Sequence, residues 1–192
     1  MSLGFYVDMV RCIGCRTCQV ACKDRHNIQK AGVRPRRVDS FECGQYPASS
    51  LFHTSVSCNH CEDPACVKGC PTGAMHKADD GTVVHDDSRC VLCKMCVTAC
   101  PYGAPQYDEA ADMIAKCDSC KDLRDAGKAP NCVAACPMRA IEFGDVDELA
   151  ARHGGGTVSD FPAIAPSSYT RPNLRVRLST GAVRDDIRPV VL

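Results

Sequence analysis

The chain has no tryptophan and only five phenylalanines and five tyrosines in 192 residues. Leu, Ile, Val and Phe together number 37, just under a fifth of the chain. So small a supply of large apolar side chains does not build an ordinary core, and in a highly charged chain it signals disorder. Charge of one sign is missing too: Lys and Arg number 23, Asp and Glu 23, and the net charge is zero. That balance argues against nucleic acid as a partner, which would need a basic stripe. The local basic runs Arg34–Arg37 and Arg171–Arg177 read as solvated faces or subunit contacts. No stretch approaches the roughly 18 apolar residues that span a bilayer, so direct membrane insertion is not expected. No signal peptide is visible, since Met1–Val10 carries Asp8 and lacks a basic start, and no apolar run follows Arg36-Arg37. There is no Gly-rich phosphate loop, no nucleophile with a base and no carboxylate pair. The sequence thus offers no catalytic site of its own.

What the chain has is cysteine, seventeen in all. Sixteen fall into four groups: Cys12, Cys15, Cys18, Cys22; Cys58, Cys61, Cys66, Cys70; Cys90, Cys93, Cys96, Cys100; and Cys117, Cys120, Cys132, Cys136. The last three groups end in Cys-Pro, at Pro71, Pro101 and Pro137. The first and third read C-x2-C-x2-C-x3-C, the spacing that wraps a 4Fe–4S cubane. The second widens one gap to four residues and the fourth widens one to eleven. Iron prefers thiolate, and each cubane needs four of them. Sixteen thiolates in this pattern therefore predict four 4Fe–4S clusters, with all sixteen as iron ligands. Cluster binding would then supply the folding energy that the lean core does not, and a metal-free chain is expected to be largely unfolded.

Zinc is the competing reading. Cys117-x2-Cys120-x11-Cys132-x3-Cys136 alone could pass for a structural zinc site, whereas the other groups pack four thiols too tightly. A secreted disulfide scaffold fits neither the length nor the absent signal peptide. The odd Cys43 reads as a free thiol. His26, His53, His60, His76, His85 and His153 show no pairing at metal spacing and read as surface or loop residues. Arg16 and Lys94 sit inside ligand loops, where positive charge would raise a cluster potential or simply be solvated.

An internal repeat organises the middle of the chain. SCNHCEDPACVKGCPTGAM (Ser57–Met75) aligns on its cysteines with RCVLCKMCVTACPYGAPQ (Arg89–Gln106), about thirty residues on. Gly81–Asp87 reads as a short strand after the turn Asp79-Asp80-Gly81. Ala65–Gly69 and Cys93–Ala99 read as helical turns stopped by the following proline. In two-cluster ferredoxins the fourth cysteine of a group ligates the other cluster, so crossed sets are expected. These are Cys58, Cys61, Cys66 with Cys100 and Cys90, Cys93, Cys96 with Cys70. Crossing the outer groups likewise gives Cys12, Cys15, Cys18 with Cys136 and Cys117, Cys120, Cys132 with Cys22.

Around this centre, Gly4–Val10 reads as a strand with Ile141–Phe143 as its mate. Asp145–His153 reads as a helix capped by Asp145 and ended at Gly154-Gly155-Gly156. The expected fold is α+β, with two ferredoxin-like units. The outer one is split between 1–56 and 108–153 and carries an insertion of little periodicity at 27–56. The central one, 57–107, is inserted into it. Residues 154–192 are expected as an extended C-terminal arm lying on a partner, with Asn173–Leu178 alternating like a strand.

SCNHCEDPACVKGCPTGAMHK (Ser57–Lys77), CPYGAPQY (Cys100–Tyr107) and KCDSC (Lys116–Cys120) closely resemble the iron–sulfur subunit of the dimethyl sulfoxide reductase family. The wider family includes subunits of polysulfide, tetrathionate and nitrate reductases and formate dehydrogenases. The resemblance runs from GFYVD through FGDVDELAARHG to the Arg- and Pro-rich tail. It implies a complex in which a catalytic subunit carries a molybdopterin cofactor and a membrane anchor subunit oxidises quinol. This chain would relay electrons between them. It further implies that the set with Cys12 and Cys136 lies toward the molybdenum and the set with Cys93 and Cys70 toward the membrane. Some relatives lack a cysteine at the position of Cys93 and hold a three-iron cluster; Cys93 is present here. Such complexes often sit peripherally on the periplasmic face of the cytoplasmic membrane; the missing signal peptide equally fits the cytoplasmic face. A free-standing polyferredoxin is the other electron-transfer reading, against which the insertion and tail argue.

Overall fold

The computed structural model describes residues 2–154 and 156–191. Along the chain run β1 (Leu3–Asp8), α1 (Thr17–Arg25), β2 (Arg37–Cys43), β3 (Ser50–Val56), α2 (Ala65–Lys68), β4 (Met75–Lys77) and β5 (Val83–His85). They are followed by α3 (Met95–Ala99), β6 (Gln106–Asp108), β7 (Met113–Ala115), α4 (Lys121–Asp125), α5 (Asn131–Ala134), β8 (Ile141–Asp145), α6 (Val146–Arg152), β9 (Thr157–Val158), β10 (Leu174–Arg177) and β11 (Arg188–Val190). The structure is a mixed α/β fold with short elements, and most of the cysteines lie in the loops and single turns between strands.

A four-stranded sheet, in the order β8-β1-β10-β9, is the platform. β1 is apolar on both faces and reads LGFYVD; Phe5, Tyr6 and Val7 are all buried. Burying a side chain such as Phe5 stabilises by roughly 1.5–3 kcal/mol, which matters in a chain so poor in such residues. The expected mate is present: β8 pairs antiparallel with β1, Phe5 opposite Phe143. Those two rings meet edge to face at 4.8 Å, a favoured aromatic geometry. α6 follows β8, and the Asp145 carboxylate accepts from the N–H groups of Asp147 and Glu148 at its start. A capping side chain of this kind is worth about 1 kcal/mol. The helix closes at His153 with Gly154 at φ 76°; Gly155 lies outside the described residues.

Two segments of little apolar pattern have definite places in the fold, and the strand expected at Asn173–Leu178 is present as β10 (Leu174–Arg177). The insertion 27–56 is ordered as the β2–β3 hairpin, in register from Arg37 opposite Val56 to Cys43 opposite Ser50. The periodicity is weak because β2 buries residues on both faces, Val38, Ser40, Phe41 and Cys43 among them. The C-terminal segment is stitched into the body. β10 runs parallel to β1, Phe5 opposite Leu174, and β11 pairs with β2. Gly4 permits the first contact: a Cβ there would lie 1.9 Å from the Asn173 carbonyl oxygen. The tail's polar composition hid this because only Leu174 and Val176 of β10 face the core.

The main core contains eight cysteines: Cys18, Cys43, Cys58, Cys66, Cys96, Cys117, Cys132 and Cys136. Thiols thus occupy positions that Leu or Ile would fill in a richer chain. Among the described residues, no helix is long and apolar enough to cross a membrane.

Candidate functional site

Each cysteine group begins with the same turn. Two residues after the first cysteine the backbone is left-handed: Gly14 (φ 70°), His60 (φ 45°), Leu92 (φ 53°) and Ser119 (φ 58°). That conformation points its N–H back at the first sulfur. His60, Leu92 and Ser119 donate to Sγ of Cys58, Cys90 and Cys117 at 3.4 Å, and Gly14 donates to Cys12. Left-handed backbone costs a residue with a Cβ roughly 1–2 kcal/mol, and such strain collects at functional sites. Only the first group uses glycine here, and it needs one for space as well: a Cβ on Gly14 would lie 2.7 Å from the His53 ring.

The chain after the last cysteine curls back in the same spirit. Cys70, Cys100 and Cys136 accept from the N–H groups of Met75 (3.3 Å), Ala104 (3.5 Å) and Ala140 (3.3 Å). Hydrogen bonds of this kind favour the charged form of the sulfur. Hydroxyls add to them, Thr17 on Cys15 at 3.4 Å and Thr170 on Cys61 at 3.2 Å. The two irregular spacings have physical causes. α4 fills the eleven-residue gap of the fourth group. The wider gap of the second exposes the N–H groups of Glu62 and Asp63, which bond the tail carbonyls of Arg171 (2.8 Å) and Thr170 (3.0 Å).

The helices bring the groups together in pairs, α1 against α5 and α2 against α3. Cys12, Cys15, Cys18 and Cys136 line one cavity. Cys22 lies among Cys117, Cys132 and Cys120. Cys61 and Cys66 lie beside Cys58 and Cys100, and Cys96 lies beside Cys90 and Cys70. Cys93 is exposed on the same loop as Cys90. No two of the seventeen cysteines form a disulfide. Cys43 stands apart, buried at the end of β2 against the turn at Gly181.

Burial, then the charges of neighbouring sulfurs, pushes the Cys66 thiol up to about 12. Burial likewise takes Cys61 to about 12 and Cys132 to about 11, and raises Cys22 above the range of ordinary thiols. At the exposed end the direction reverses. Hydrogen bonds from Thr17 lower Cys15, and at Cys70 burial is outweighed by the N–H of Met75 and the Thr72 hydroxyl. Buried sulfurs crowded in this way ionise only beside a cation. Thiolate donors with N–H groups aimed at them fit iron–sulfur clusters, whose potentials respond to hydrogen bonds at sulfur.

Sequence reasoning missed several residues. Arg36, expected on a solvated patch, is 1% exposed and lies near Cys132, Cys117, Cys18 and Cys22, whose charge, once they ionise, would offset the cost of its burial. His60, expected in a surface loop, is fully buried; its Nδ1 accepts from the Val83 N–H at 3.0 Å, and burial holds the ring neutral. Lys116 is buried with its ammonium on the carbonyls of Val83 and Cys117. Only their place beside cysteines in sequence or space marks them, and for Arg36 and Thr170 that place is tertiary.

Residues 49–146 match the model of a family described as a 4Fe-4S dicluster domain, and residues 11–25 match that of a 4Fe-4S binding domain. The chain is similar to a component of the anaerobic dimethyl sulfoxide reductase of Escherichia coli (strain K12), 44% identical over 185 residues, covering 91% of this chain and 87% of that protein. The corresponding protein of Haemophilus influenzae is 43% identical over 183 residues, covering 91% and 88%. The thiosulfate reductase electron transfer subunit of Salmonella typhi is 39% identical over 145 residues, covering 73% and 74%. Repeated ligand turns, crowded thiols and these likenesses agree: the chain is an electron-transfer subunit that binds 4Fe–4S clusters and belongs to the iron–sulfur subunit family of dimethyl sulfoxide reductase-type complexes.

Proposed function

We propose that this subunit holds four 4Fe–4S clusters in crossed sets and relays electrons between a quinol-oxidising membrane subunit and a molybdopterin catalytic subunit. The sets are Cys12, Cys15, Cys18 with Cys136; Cys117, Cys120, Cys132 with Cys22; Cys58, Cys61, Cys66 with Cys100; and Cys90, Cys93, Cys96 with Cys70. The observation that carries the reading is the recurrence of one turn at all four groups, each with the last cysteine of another group brought beside it. When bound, each cluster supplies a reversible one-electron couple. The protein's part is to fix the thiolates, aim N–H groups at them and exclude water from the inner sets. The pairing of β1 with β8 around the central groups supports the nested arrangement, with 57–107 inserted between 1–56 and 108–153. On this reading the Cys12 set faces the catalytic subunit and the Cys93 set faces the membrane anchor. The chain then sits peripherally at the membrane through its partners.

Iron, zinc and acid-labile sulfide are measured per chain on anaerobically purified protein, with EPR of the reduced sample. About sixteen iron and sixteen sulfide, four of each per cluster, with spin-coupled signals, is the expected result. About four iron fewer, with zinc present, would remove one station and overturn the four-cluster relay.

A further inference from the structure

Arg36 heads the fully buried side chains by size. Its Nη1 donates to Ser55 Oγ at 2.9 Å and its Nη2 to Ser57 Oγ at 2.8 Å. The guanidinium lies over the Phe5 ring, 4.3 Å from its centroid, and Nε has no partner among the described residues. Arg36 joins none of the ion pairs found among the described residues. Two serines and a ring do not repay the burial of a cation, which costs several kcal/mol when unpaired. Arginine cannot escape by losing its proton. The compensating charge must come from what surrounds it, and what surrounds it is sulfur: Cys132, Cys117, Cys18 and Cys22. Ser55 extends the link, its Oγ lying 3.4 Å from Cys18 Sγ.

These four cysteines come from two of the proposed sets, so Arg36 stands at the junction of two stations. We infer that Arg36 is the built-in counter-cation of the Cys12–Cys136 and Cys117–Cys22 sites, raising the potential of both and keeping electron passage between them free of proton movement. The inference rests on the cluster reading above. A cluster held by four thiolates is anionic, and one electron makes it more so; a permanent positive charge in a dry interior favours the reduced form. An electron that leaves one site reduces the other, no bond is made or broken, and Arg36 keeps its proton throughout. Exposed Lys94 lies in water, where screening weakens the same effect.

The test uses the whole iron-loaded chain carrying Arg36→Met or Arg36→Lys, with iron and sulfide counts and EPR-monitored redox titration. In Arg36→Met at full iron content, two of four midpoints should fall. Each fall should change the reduced-to-oxidised ratio at fixed potential at least tenfold, ~59 mV for a one-electron couple; Arg36→Lys should restore most of it. Loss of iron in Arg36→Met that Arg36→Lys prevents would support the same counter-charge. Unmoved midpoints at full iron content, or equal defects in both variants, would overturn it and leave Arg36 a matter of shape. Wild-type protein without clusters would instead sink the cluster reading itself.

Discussion

Two cysteine quartets use the same turn in opposite surroundings. Cys22, Cys117, Cys120 and Cys132 are all buried, at 4–6% exposure, with Arg36 beside them. In the quartet of Cys70, Cys90, Cys93 and Cys96, only Cys96 is buried, and Cys93 is exposed. Val91 and Met95, its neighbours in sequence, are 63% and 50% exposed. The turn therefore specifies a ligand geometry, and the surrounding chain decides what the site is for. A buried quartet sits where a hydrophobic core would be, so a metal held there would be structural as well as redox-active. An exposed quartet contributes little packing and leaves its sulfurs near the surface, where electrons can be exchanged with another molecule.

The largest expected effect separates the two directly. Cys132→Ala should lose about four iron per chain, and with them the packing of α1 on α5, because metal binding here is folding energy. Far-UV circular dichroism should show most of the structure gone at room temperature. Cys93→Ala should lose no more than about four iron and keep the fold, since its loop buries little. If Cys93→Ala unfolds the chain as fully as Cys132→Ala, burial does not divide structural from exchanging sites and the comparison fails.

The sequence exposed the ligand turns because cysteine spacing is local. The loop in which N–H meets Sγ spans only a few residues, so C-x2-C carries its own geometry. The same locality made β1, β8 and the Asp145 cap legible. The β2–β3 hairpin was not, because its strands bury polar Ser40, Thr54 and Ser55 as well as apolar residues, which blurs alternation. Arg36 was illegible for a related reason: its neighbours are scattered along the chain, at Phe5, Cys18–Cys22, Ser55–Ser57 and Cys117–Cys132. A charged residue in an Arg-rich run reads as solvated until the fold shows thiols around it. The tail was legible in part: its alternation at Asn173–Leu178 marks β10, but the contact of Thr170 with Cys61 across 109 residues is tertiary.

A smaller effect sharpens the comparison at the central unit. Thr170→Val keeps the side chain's shape and removes the hydroxyl that donates to Cys61 Sγ. A hydrogen bond to sulfur stabilises the reduced, more anionic state, so one midpoint should fall. The magnitude is on the order of 1 kcal/mol, roughly 40 mV for a one-electron couple. Iron content should not change. A shift in more than one midpoint would mean that the tail acts on the fold as a whole instead of on one sulfur.

The smallest effect belongs to the exposed quartet. Lys94 sits at the left-handed start of α3 with its ammonium 3.5 Å from the Tyr107 ring centroid. Its charge lies as near to ligand cysteines in sequence as any in the chain, and proximity alone would make it a strong tuning residue. Solvent argues otherwise: exposed charges are screened within about 10 Å at 0.1 M salt, and an exposed cation–π contact is worth only about 0.5–1 kcal/mol. Lys94→Gln should therefore leave all four midpoints nearly unchanged at about 0.1 M salt and lower stability by less than about 1 kcal/mol, read from denaturant melts of the iron-loaded chain. Repeating the redox titration at about 0.01 M salt, where screening sets in only beyond about 30 Å, should uncover a small downward shift in one midpoint. A salt-independent shift as large as that of Arg36→Met would show that exposure does not govern how strongly a charge acts on a cluster. The contrast between the two quartets would then reduce to ligand spacing alone.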